Sequence, residues 1–275
     1  MRSLLLLVTM LFTTSIVSAQ QIDTTRPSLD IAHPGVLVTI EEDFPRSPID
    51  GYNLYVPKSC KKSSKKYPII VFLHGGRLVG GDIANVLNFD LPNAILESPS
   101  MESELETLLK DTFIVIMPHI KHGEFYEGET AMRSIIDRVI QNDNGDPERV
   151  YLTGLSRGGY GTWGLASRMS DVFAAVAPIC GGSAGITDYN NLEGVPIWVT
   201  HNTEDNVVPY RASDGIVKRL EKMFETPFHQ SSSIESANYE KHPLIFTSRV
   251  TKSHDAWTEM HSSVHFYKWL LRFSK

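Results

Sequence analysis

Apolar runs recur along this chain, and most of them are followed by a stretch with helical character. Pro68 to Leu73 is an unbroken apolar run, and its lack of polar alternation predicts a strand buried on both faces of a sheet. Further strands are predicted over Thr112 to Met117, Arg149 to Thr153, Phe173 to Ile179, Val195 to Thr200 and Leu244 to Ser248. Strands that alternate with helices favour an α/β fold, with a mainly parallel twisted sheet and helices on both of its faces.

Helical periodicity is clearest from Glu129 to Gln141, where apolar residues recur at a spacing of four. Other helices are predicted over Met101 to Lys110, Tyr160 to Met169, Asp214 to Phe224 and His261 to Phe273. Earlier in the chain, Val36 to Ile40 and Tyr52 to Val56 have the composition of strands, and prolines, Asp50 and Gly51 lie between them. This turn chemistry predicts an antiparallel pair at one edge of the sheet.

The first 34 residues differ in pattern from the rest of the chain. Residues 1–19 carry a positive charge at Arg2, an apolar stretch and small residues ending at Ala19, which is typical of a signal peptide. Residues 20–34 are polar and lack periodicity, which predicts a linker. Residues 35–275 fit one α/β domain of about 250 residues. We therefore expect a secreted or periplasmic protein, without stable membrane insertion once the signal is removed.

Charge and cysteine content narrow the range of partners. The formal net charge of −6 and the pI near 5.9 give no reason to expect a nucleic acid as partner. The two cysteines, Cys60 and Cys180, are able to form one bridge in an oxidising compartment. Cys180 follows an apolar run and has the setting of a small buried hydrophobe, whereas Cys60 lies in a lysine-rich loop. We favour two free thiols and keep the bridge as the alternative.

The strongest signal for chemistry is Gly154-x-Ser156-x-Gly158, which lies between a predicted strand and a predicted helix. This spacing is that of a nucleophile elbow, in which a strained turn from strand to helix exposes a serine hydroxyl. A Cβ at either glycine is expected to collide with the neighbouring strand or helix. The amide of Arg157 then lies at a helix N-terminus, where an unpaired N–H is able to stabilise an oxyanion.

Two polar loops offer partners for this serine. Asp205 and His254 each come shortly after one of the last two predicted strands. Because the carboxyl ends of parallel strands meet in one crevice, we expect both side chains near Ser156. The chain order of serine, aspartate and histidine is that of the α/β-hydrolases. Glu204 and Asp255 are the alternative acids, although Asp255 adjoins the histidine in sequence and its side chain is expected to point away.

Five stretches between residues 68 and 257 together resemble a known group. They are Phe72 to Gly76, Gly154 to Trp163, Ala177 to Gly182, Asp205 to Pro209 and His254 to Trp257. In this combination the chain resembles α/β-hydrolases of the polyhydroxybutyrate-depolymerase and feruloyl-esterase-like group, which includes small secreted proteins described as predicted peptidases. The resemblance implies the α/β-hydrolase fold over the whole of residues 35–275.

The resemblance also implies roles for five residues. By this likeness Ser156 is the nucleophile, His254 is the base, and Asp205 is the acid that orients the base. The backbone amides of Gly76 and Arg157 would form the oxyanion hole.

Other residues near the motifs have a structural interpretation as well as a functional one. Asn202 stands where relatives of this group commonly have glycine, which leaves the reach of Asp205 less certain. His74 and His201 end strands, and we expect them to be hydrogen-bonded structural histidines. His119 and His122 form an H-x-x-H motif in a loop, but no third ligand is suggested, so no metal is expected.

Four aromatic residues keep two interpretations open. Phe125, Tyr126, Tyr160 and Trp257 either line a pocket for an aromatic acyl group or are ordinary aromatics of the core and rim.

The first functional hypothesis is a secreted serine hydrolase that cleaves carboxylic esters through an acyl-enzyme and needs no cofactor. Its substrates would be acetyl, feruloyl or similar esters, either small molecules or groups attached to plant polysaccharide. A second hypothesis keeps the same three residues but cleaves peptides, in the manner of prolyl-oligopeptidases without their propeller. A third is a non-catalytic, hydrolase-like binding domain. The complete set of motif residues argues against the third, and the first is favoured over the second because an amide leaving group demands more positioning than an ester does.

Overall fold

The computed structural model describes residues 35–62, 64–97 and 103–275, so the predicted signal peptide and linker lie outside the described residues. The strands are β1 (Gly35–Glu41), β2 (Ile49–Pro57), β3 (Tyr67–Leu73), β4 (Ile114–Ile120), β5 (Gly145–Leu155), β6 (Ala175–Ile179), β7 (Ile197–Thr200), β8 (His229–Ser231) and β9 (Leu244–Thr247). The α-helices are α1 (Asp90–Glu97), α2 (Ser103–Thr107), α3 (Glu129–Asn142), α4 (Arg157–Arg168), α5 (Arg211–Phe224), α6 (Thr258–His261) and α7 (Val264–Leu270).

The nine described strands form one sheet in the order β1-β2-β4-β3-β5-β6-β7-β9-β8. The pairs β1 with β2 and β2 with β4 are antiparallel, and every later pair is parallel. The predicted antiparallel pair at a sheet edge is therefore confirmed, and so is the mainly parallel sheet. Because β3, β5, β6, β7 and β9 run in the same direction, the loops that follow them gather at one edge.

Strand β3 shows how the sheet separates two cores. Ile69, Val71 and Leu73 belong to the hydrophobic cluster on one face, whereas Ile70 and Phe72 belong to the cluster on the other. Every residue of this strand is buried. The unbroken apolar run in the sequence is thus explained, because both sides of the strand are covered.

Helix α3 confirms the clearest periodicity in the sequence. Its buried residues are Ala131, Met132, Ile135, Ile136 and Val139. They recur at a spacing of three and four, so one stripe of the helix packs on the sheet while the other faces solvent.

Three elements differ from the sequence expectation. The helix predicted over 261–273 is the shorter α7, which the Ser263 hydroxyl caps by accepting the amide hydrogen of His265 at 3.2 Å, and the unpredicted α6 precedes it. In the helix predicted over 101–110, α2 is followed by a π-helical turn, Leu108–Thr112. Strand β8 was not predicted, since its three residues are polar and form no apolar run.

Both cysteines are buried and free, as favoured from the sequence. The Cys60 thiol lies 3.0 Å from the carbonyl oxygen of Asp143, to which it donates a hydrogen bond. Among the described helices, none combines the length and the apolar character needed to cross a membrane.

Candidate active site

The turn after β5 holds Ser156 in a strained backbone conformation. Its φ of 55° and ψ of −116° lie outside the regions that residues with a side chain normally occupy. Two backbone hydrogen bonds of 3.0 Å keep it there, one from the Ser156 amide to the Ile179 carbonyl and one from the Tyr160 amide to the Ser156 carbonyl. Helix α4 starts at the next residue, which is the geometry of a nucleophile elbow.

The glycines on either side of Ser156 explain how so tight a turn packs. A Cβ added to Gly154 would lie 2.6 Å from the carbonyl oxygen of Gly158 and 2.7 Å from the Cβ of Leu73. A Cβ added to Gly158 would overlap the carbonyl group of Leu73 at the end of β3. The steric role predicted for both glycines from the sequence is therefore confirmed.

The loops after β7 and β9 bring Asp205 and His254 into direct contact. The Nδ1 atom of His254 lies 2.6 Å from Oδ2 of Asp205, and the carboxylate is buried. The other carboxylate oxygen, Oδ1, accepts hydrogen bonds from the amides of Val207 and Val208 at 2.8 and 3.0 Å. With both oxygens engaged, the carboxylate has one orientation, and the imidazole that bonds to it is oriented in turn.

The second ring nitrogen of His254 is available. Its Nε2 atom is buried and has no hydrogen-bond partner among the described residues. An imidazole whose Nδ1 is fixed by a carboxylate, and whose Nε2 is unoccupied, is suited to take up and return a proton.

The two alternative acids lie elsewhere. Glu204 is exposed. The carboxylate of Asp255 accepts hydrogen bonds from the amides of Trp257 and Thr258, at 3.2 and 2.9 Å, so it is committed to the start of α6. The side chain that contacts His254 is that of Asp205 alone among these three acids.

Asn202 has a structural role that the sequence did not indicate. Its side-chain amide donates two hydrogen bonds of 2.9 Å, one to the carbonyl of Ser253 and one to the carbonyl of Asp255. These carbonyls belong to the residues on either side of His254. Asn202 therefore joins the loop that carries Asp205 to the loop that carries the imidazole.

The two residues whose amides are predicted to form an oxyanion hole lie in contact. A Cβ added to Gly76 would lie 3.4 Å from Nε of Arg157, so the turn after β3 lies against the first residue of α4. The Nη1 atom of the same guanidinium group donates to the Gly123 carbonyl at 2.7 Å and to the Glu124 carboxylate at 3.0 Å. Both amides stand at the first position of a helical segment, where no partner exists within the helix.

His74 holds the peptide group that ends in the Gly76 amide. Its Nδ1 atom lies 2.8 Å from the carbonyl oxygen of Gly75, which shares one peptide plane with the N–H of Gly76. Burial lowers the pKa of His74 to about 4, so the ring is neutral near neutral pH and Nδ1 is its donor. Its Nε2 atom is buried without a partner, so the prediction of a structural histidine is confirmed for one nitrogen only.

Two further histidines named from the sequence, His201 and His119, are structural. His201 contacts the Ser213 hydroxyl at 2.7 Å through Nδ1 and the Val208 carbonyl at 3.0 Å through Nε2. His119 contacts the Asp50 carboxylate at 2.7 Å and the Leu78 carbonyl at 2.9 Å. Because both ring nitrogens are occupied in each, neither is a free ligand for a metal. His122 is exposed.

Cys180 lies beneath the contact between Asp205 and His254. Its sulfur, a carboxylate oxygen and an imidazole nitrogen all lie within 4.8 Å of one another, a grouping that sequence alone did not suggest. Burial raises the pKa of the Cys180 thiol strongly, which keeps it in the protonated form that does not bind metals. We therefore treat Cys180 as a packing residue of the site.

The four predicted substrate-binding aromatics divide between the site and the core. The Trp257 ring lies 5.3 Å from the His254 ring, at an angle of 86°. Tyr160 is half-buried beside Gly182, and burial, followed by the nearby Cys180, raises its pKa.

Phe125 and Tyr126 pack against other parts of the protein. Phe125 has no exposed surface and packs on the His74 ring at 4.9 Å, so it is a core residue and has no surface to offer a substrate. The Tyr126 ring packs against Gly164 and Gly185. The structure thus brings Tyr160 and Trp257 to the site and encloses Phe125 in the core.

Comparisons with known proteins agree with this arrangement. No family model matches the chain. Over 106 residues the chain is 33% identical to a bifunctional acetylxylan esterase/xylanase of Neocallimastix patriciarum, a match that covers 38% of this chain and 16% of that protein. Over 57 residues it is 44% identical to poly(3-hydroxyalkanoate) depolymerase C of Paucimonas lemoignei, covering 20% of this chain and 14% of that one. The chain therefore matches less than a fifth of the length of either relative.

A solved structure extends the likeness to most of the chain. The crystal structure of a thermostable esterase superposes with a TM-score of 0.64 at 25% identity, and the match covers 88% of this chain and 64% of that one. The chain therefore has the α/β-hydrolase fold and is similar to esterases.

Proposed function

We propose that the protein is a serine hydrolase that cleaves carboxylic esters through an acyl-enzyme. Ser156 is the nucleophile, His254 is the general base, and Asp205 orients and stabilises the imidazole. One observation carries the proposal: the Nδ1 atom of His254 is 2.6 Å from a buried carboxylate while Nε2 has no partner, at the edge of the sheet where a strained serine follows β5. The esterases that the chain resembles support the same activity.

The chemistry proceeds in two halves. As Oγ of Ser156 attacks the ester carbonyl, Nε2 of His254 takes its proton, and it then gives that proton to the departing alcohol oxygen. Water repeats the sequence on the acyl-enzyme, and the carboxylic acid leaves. The Asp205 carboxylate stabilises the imidazolium that forms in each half.

The negative charge that develops on the carbonyl oxygen would be met by the amides of Gly76 and Arg157. Each donor of this kind contributes about 3 kcal/mol to the stability of the transition state, or about a hundredfold in rate. The hydrogen bond from His74 to the Gly75 carbonyl supports this assignment, because it fixes the plane of the peptide that contains the Gly76 amide.

The substrate that we propose is an acetyl or similar ester on a polysaccharide. The name of the relative from Neocallimastix patriciarum supports this class of ester. Export belongs to the same proposal, since residues 1–19 have the pattern of a signal peptide. The mass of the protein recovered outside the cell checks it, with Gln20 expected at the new N-terminus.

The substitution Ser156→Ala tests the proposed nucleophile. We expect hydrolysis of a short aryl acetate to fall by about 10⁴-fold or more, since no other hydroxyl takes its place on the elbow. Ser170→Ala, just beyond the far end of the same helix, is the matched control and should leave the rate unchanged. Retention of most activity by Ser156→Ala would remove this residue from the mechanism. A panel of acetyl esters, feruloyl esters and peptide amides separates esterase from peptidase activity.

A further inference from the structure

Two aromatic rings form a wall beside the candidate base. Trp257 and Phe89, here called the aromatic wall, have ring centroids 6.1 Å apart at an angle of 44°. Trp257 in turn lies edge to face with the His254 ring at 5.3 Å. Both wall residues are half-buried, so each ring keeps a surface that another molecule is able to contact. The wall therefore starts at the imidazole with Trp257 and continues to Phe89.

The wall is held in place from both sides. Phe89 directly precedes Asp90, whose carboxylate lies 2.6 Å from Nδ1 of His261 in α6. Trp257 directly precedes α6, and its amide is bound by the Asp255 side chain at 3.2 Å. The buried contact between Asp90 and His261 thus ties the segment of one ring to the helix that follows the other. Because both rings are already fixed, they lose little further conformational entropy when a ligand binds.

The indole of Trp257 differs from two other tryptophans of the chain. The N–H groups of Trp198 and Trp269 donate to Oγ1 of Thr247 at 2.9 Å and to the carbonyl of His242 at 3.1 Å. Within the described residues, no hydrogen bond involves the N–H of Trp257. A half-buried ring with an apolar face and an available donor suits a ligand that is apolar on its faces and carries hydroxyls around its edge, as a sugar ring is.

The position of the wall determines which half of an ester it meets. In the proposed reaction His254 returns its proton to the oxygen of the leaving alcohol, so the group attached to that oxygen lies next to the imidazole. The carbonyl oxygen instead faces Gly76 and Arg157. We propose that the aromatic wall is the alcohol-side subsite and that it receives a sugar ring of a polysaccharide ester. This inference rests on the proposed function and adds the identity of the leaving group.

Four esters test the subsite: the acetyl and feruloyl esters of a xylo-oligosaccharide and the two corresponding ethyl esters. In Trp257→Leu and in Phe89→Leu we expect kcat/KM to fall about tenfold to thirtyfold for both sugar esters, whichever acyl group they carry. The ethyl esters should change by less than about threefold. Trp257→Tyr, which keeps an aromatic face and a donor, should recover much of the loss. Phe273→Leu, a half-buried aromatic next to Trp269, is the control and should behave as the wild type.

Four outcomes would overturn the inference. A loss confined to the two feruloyl esters would assign the wall to the acyl group. An equal loss on all four esters would mean that the wall only positions His254. If the wild type hydrolyses the ethyl esters, but each variant changes kcat/KM equally for sugar and ethyl esters, the subsite is wrong and the proposed function stands. If the wild type hydrolyses none of the four esters, both the subsite and the proposed function are wrong.

Discussion

Two histidine–aspartate pairs in this molecule have the same separation and opposite surroundings. In each pair Nδ1 of the histidine lies 2.6 Å from a carboxylate oxygen, between His254 and Asp205 in one and between His261 and Asp90 in the other. The Nε2 atom of His254 has no partner, whereas that of His261 lies 3.1 Å from the Thr153 hydroxyl. A short contact between imidazole and carboxylate therefore does not identify a base. The state of the second nitrogen does.

Both ring nitrogens of His261 are engaged in contacts within the protein. The Thr153 hydroxyl donates its one hydrogen to the Ala177 carbonyl at 2.9 Å, so it accepts from the Nε2–H of His261. The Nδ1 atom lies 2.6 Å from the Asp90 carboxylate. Both side chains are almost fully buried, at 2% and 4% exposure, compared with 18% for the side chain of His254. The closed pair joins α1 and α6 to β5, and the open pair faces the crevice.

The two rings are also held by different means. His261 is held through its own Nε2 atom, which consumes the nitrogen. His254 is held through the backbone on either side of it, by the two hydrogen bonds of Asn202. Fixing a residue by its main chain leaves its side chain available for a reaction.

The largest expected effect comes from the same substitution in each pair. Asp205→Asn should lower the rate of ester hydrolysis by about 10⁴-fold, because the amide favours the wrong imidazole tautomer. Asp90→Asn should instead lower the free energy of unfolding by about 3 kcal/mol while the folded protein keeps its rate. Initial rates and urea unfolding of both variants check this. If Asp90→Asn abolished activity in folded protein, the distinction between open and closed pairs would be lost.

The next effect concerns His74, a buried histidine without a carboxylate. Burial lowers its pKa to about 4 in the folded protein, whereas an unfolded histidine titrates near about 6.5. Below about pH 6.5 His74 binds a proton in the unfolded chain but not in the folded chain. The free energy of unfolding should therefore fall by up to about 3 kcal/mol as the pH decreases from about 6.5 to about 4.

His74→Asn keeps a donor for the Gly75 carbonyl and removes the titrating ring. The free energy of unfolding in urea, measured at about pH 7 and about pH 4, should therefore depend less on pH in this variant. Some dependence should remain, since burial also lowers the pKa of His201. An unchanged pH dependence would show that His74 does not remain neutral in the folded state.

The smallest effects compare the two ways of holding a ring. Asn202→Ala should lower kcat about tenfold with little change in KM, because His254 loses two constraints on its loop. Thr153→Val should leave kcat unchanged and lower the free energy of unfolding by about 1 to 2 kcal/mol, because the N–H of His261 and the Ala177 carbonyl lose a buried partner. Steady-state kinetics at equal concentrations of folded protein, with unfolding curves, measure both. The reverse pattern would contradict the comparison.

The sequence was sufficient to predict the sheet, the elbow and the residues of the open pair. Each of these has a local signal: a continuous apolar run, glycines at fixed spacing around Ser156, or a polar residue just after a strand. The contact between Asp205 and His254 follows from them because parallel strands deliver their loops to one edge.

The remaining features depend on contacts between distant segments. Phe89 gave no signal, since its neighbour Trp257 is brought to it only by the packing of α6. Asn202 was interpreted as a departure in a loop, because hydrogen bonds from a side chain to main-chain carbonyls leave no pattern in a sequence. Phe125 and Trp257 are both aromatic and close to motifs, yet only the packed structure shows that one is enclosed and the other borders the site.

The glycines around the elbow have a genetic consequence. Any missense change of a glycine codon adds at least a Cβ atom to the residue. At positions 154 and 158 this Cβ would overlap atoms of β3 and α4. The gene therefore has two codons, on either side of the one for Ser156, at which every amino-acid replacement is harmful, and a chain that loses either glycine cannot be repaired by a second change at the serine.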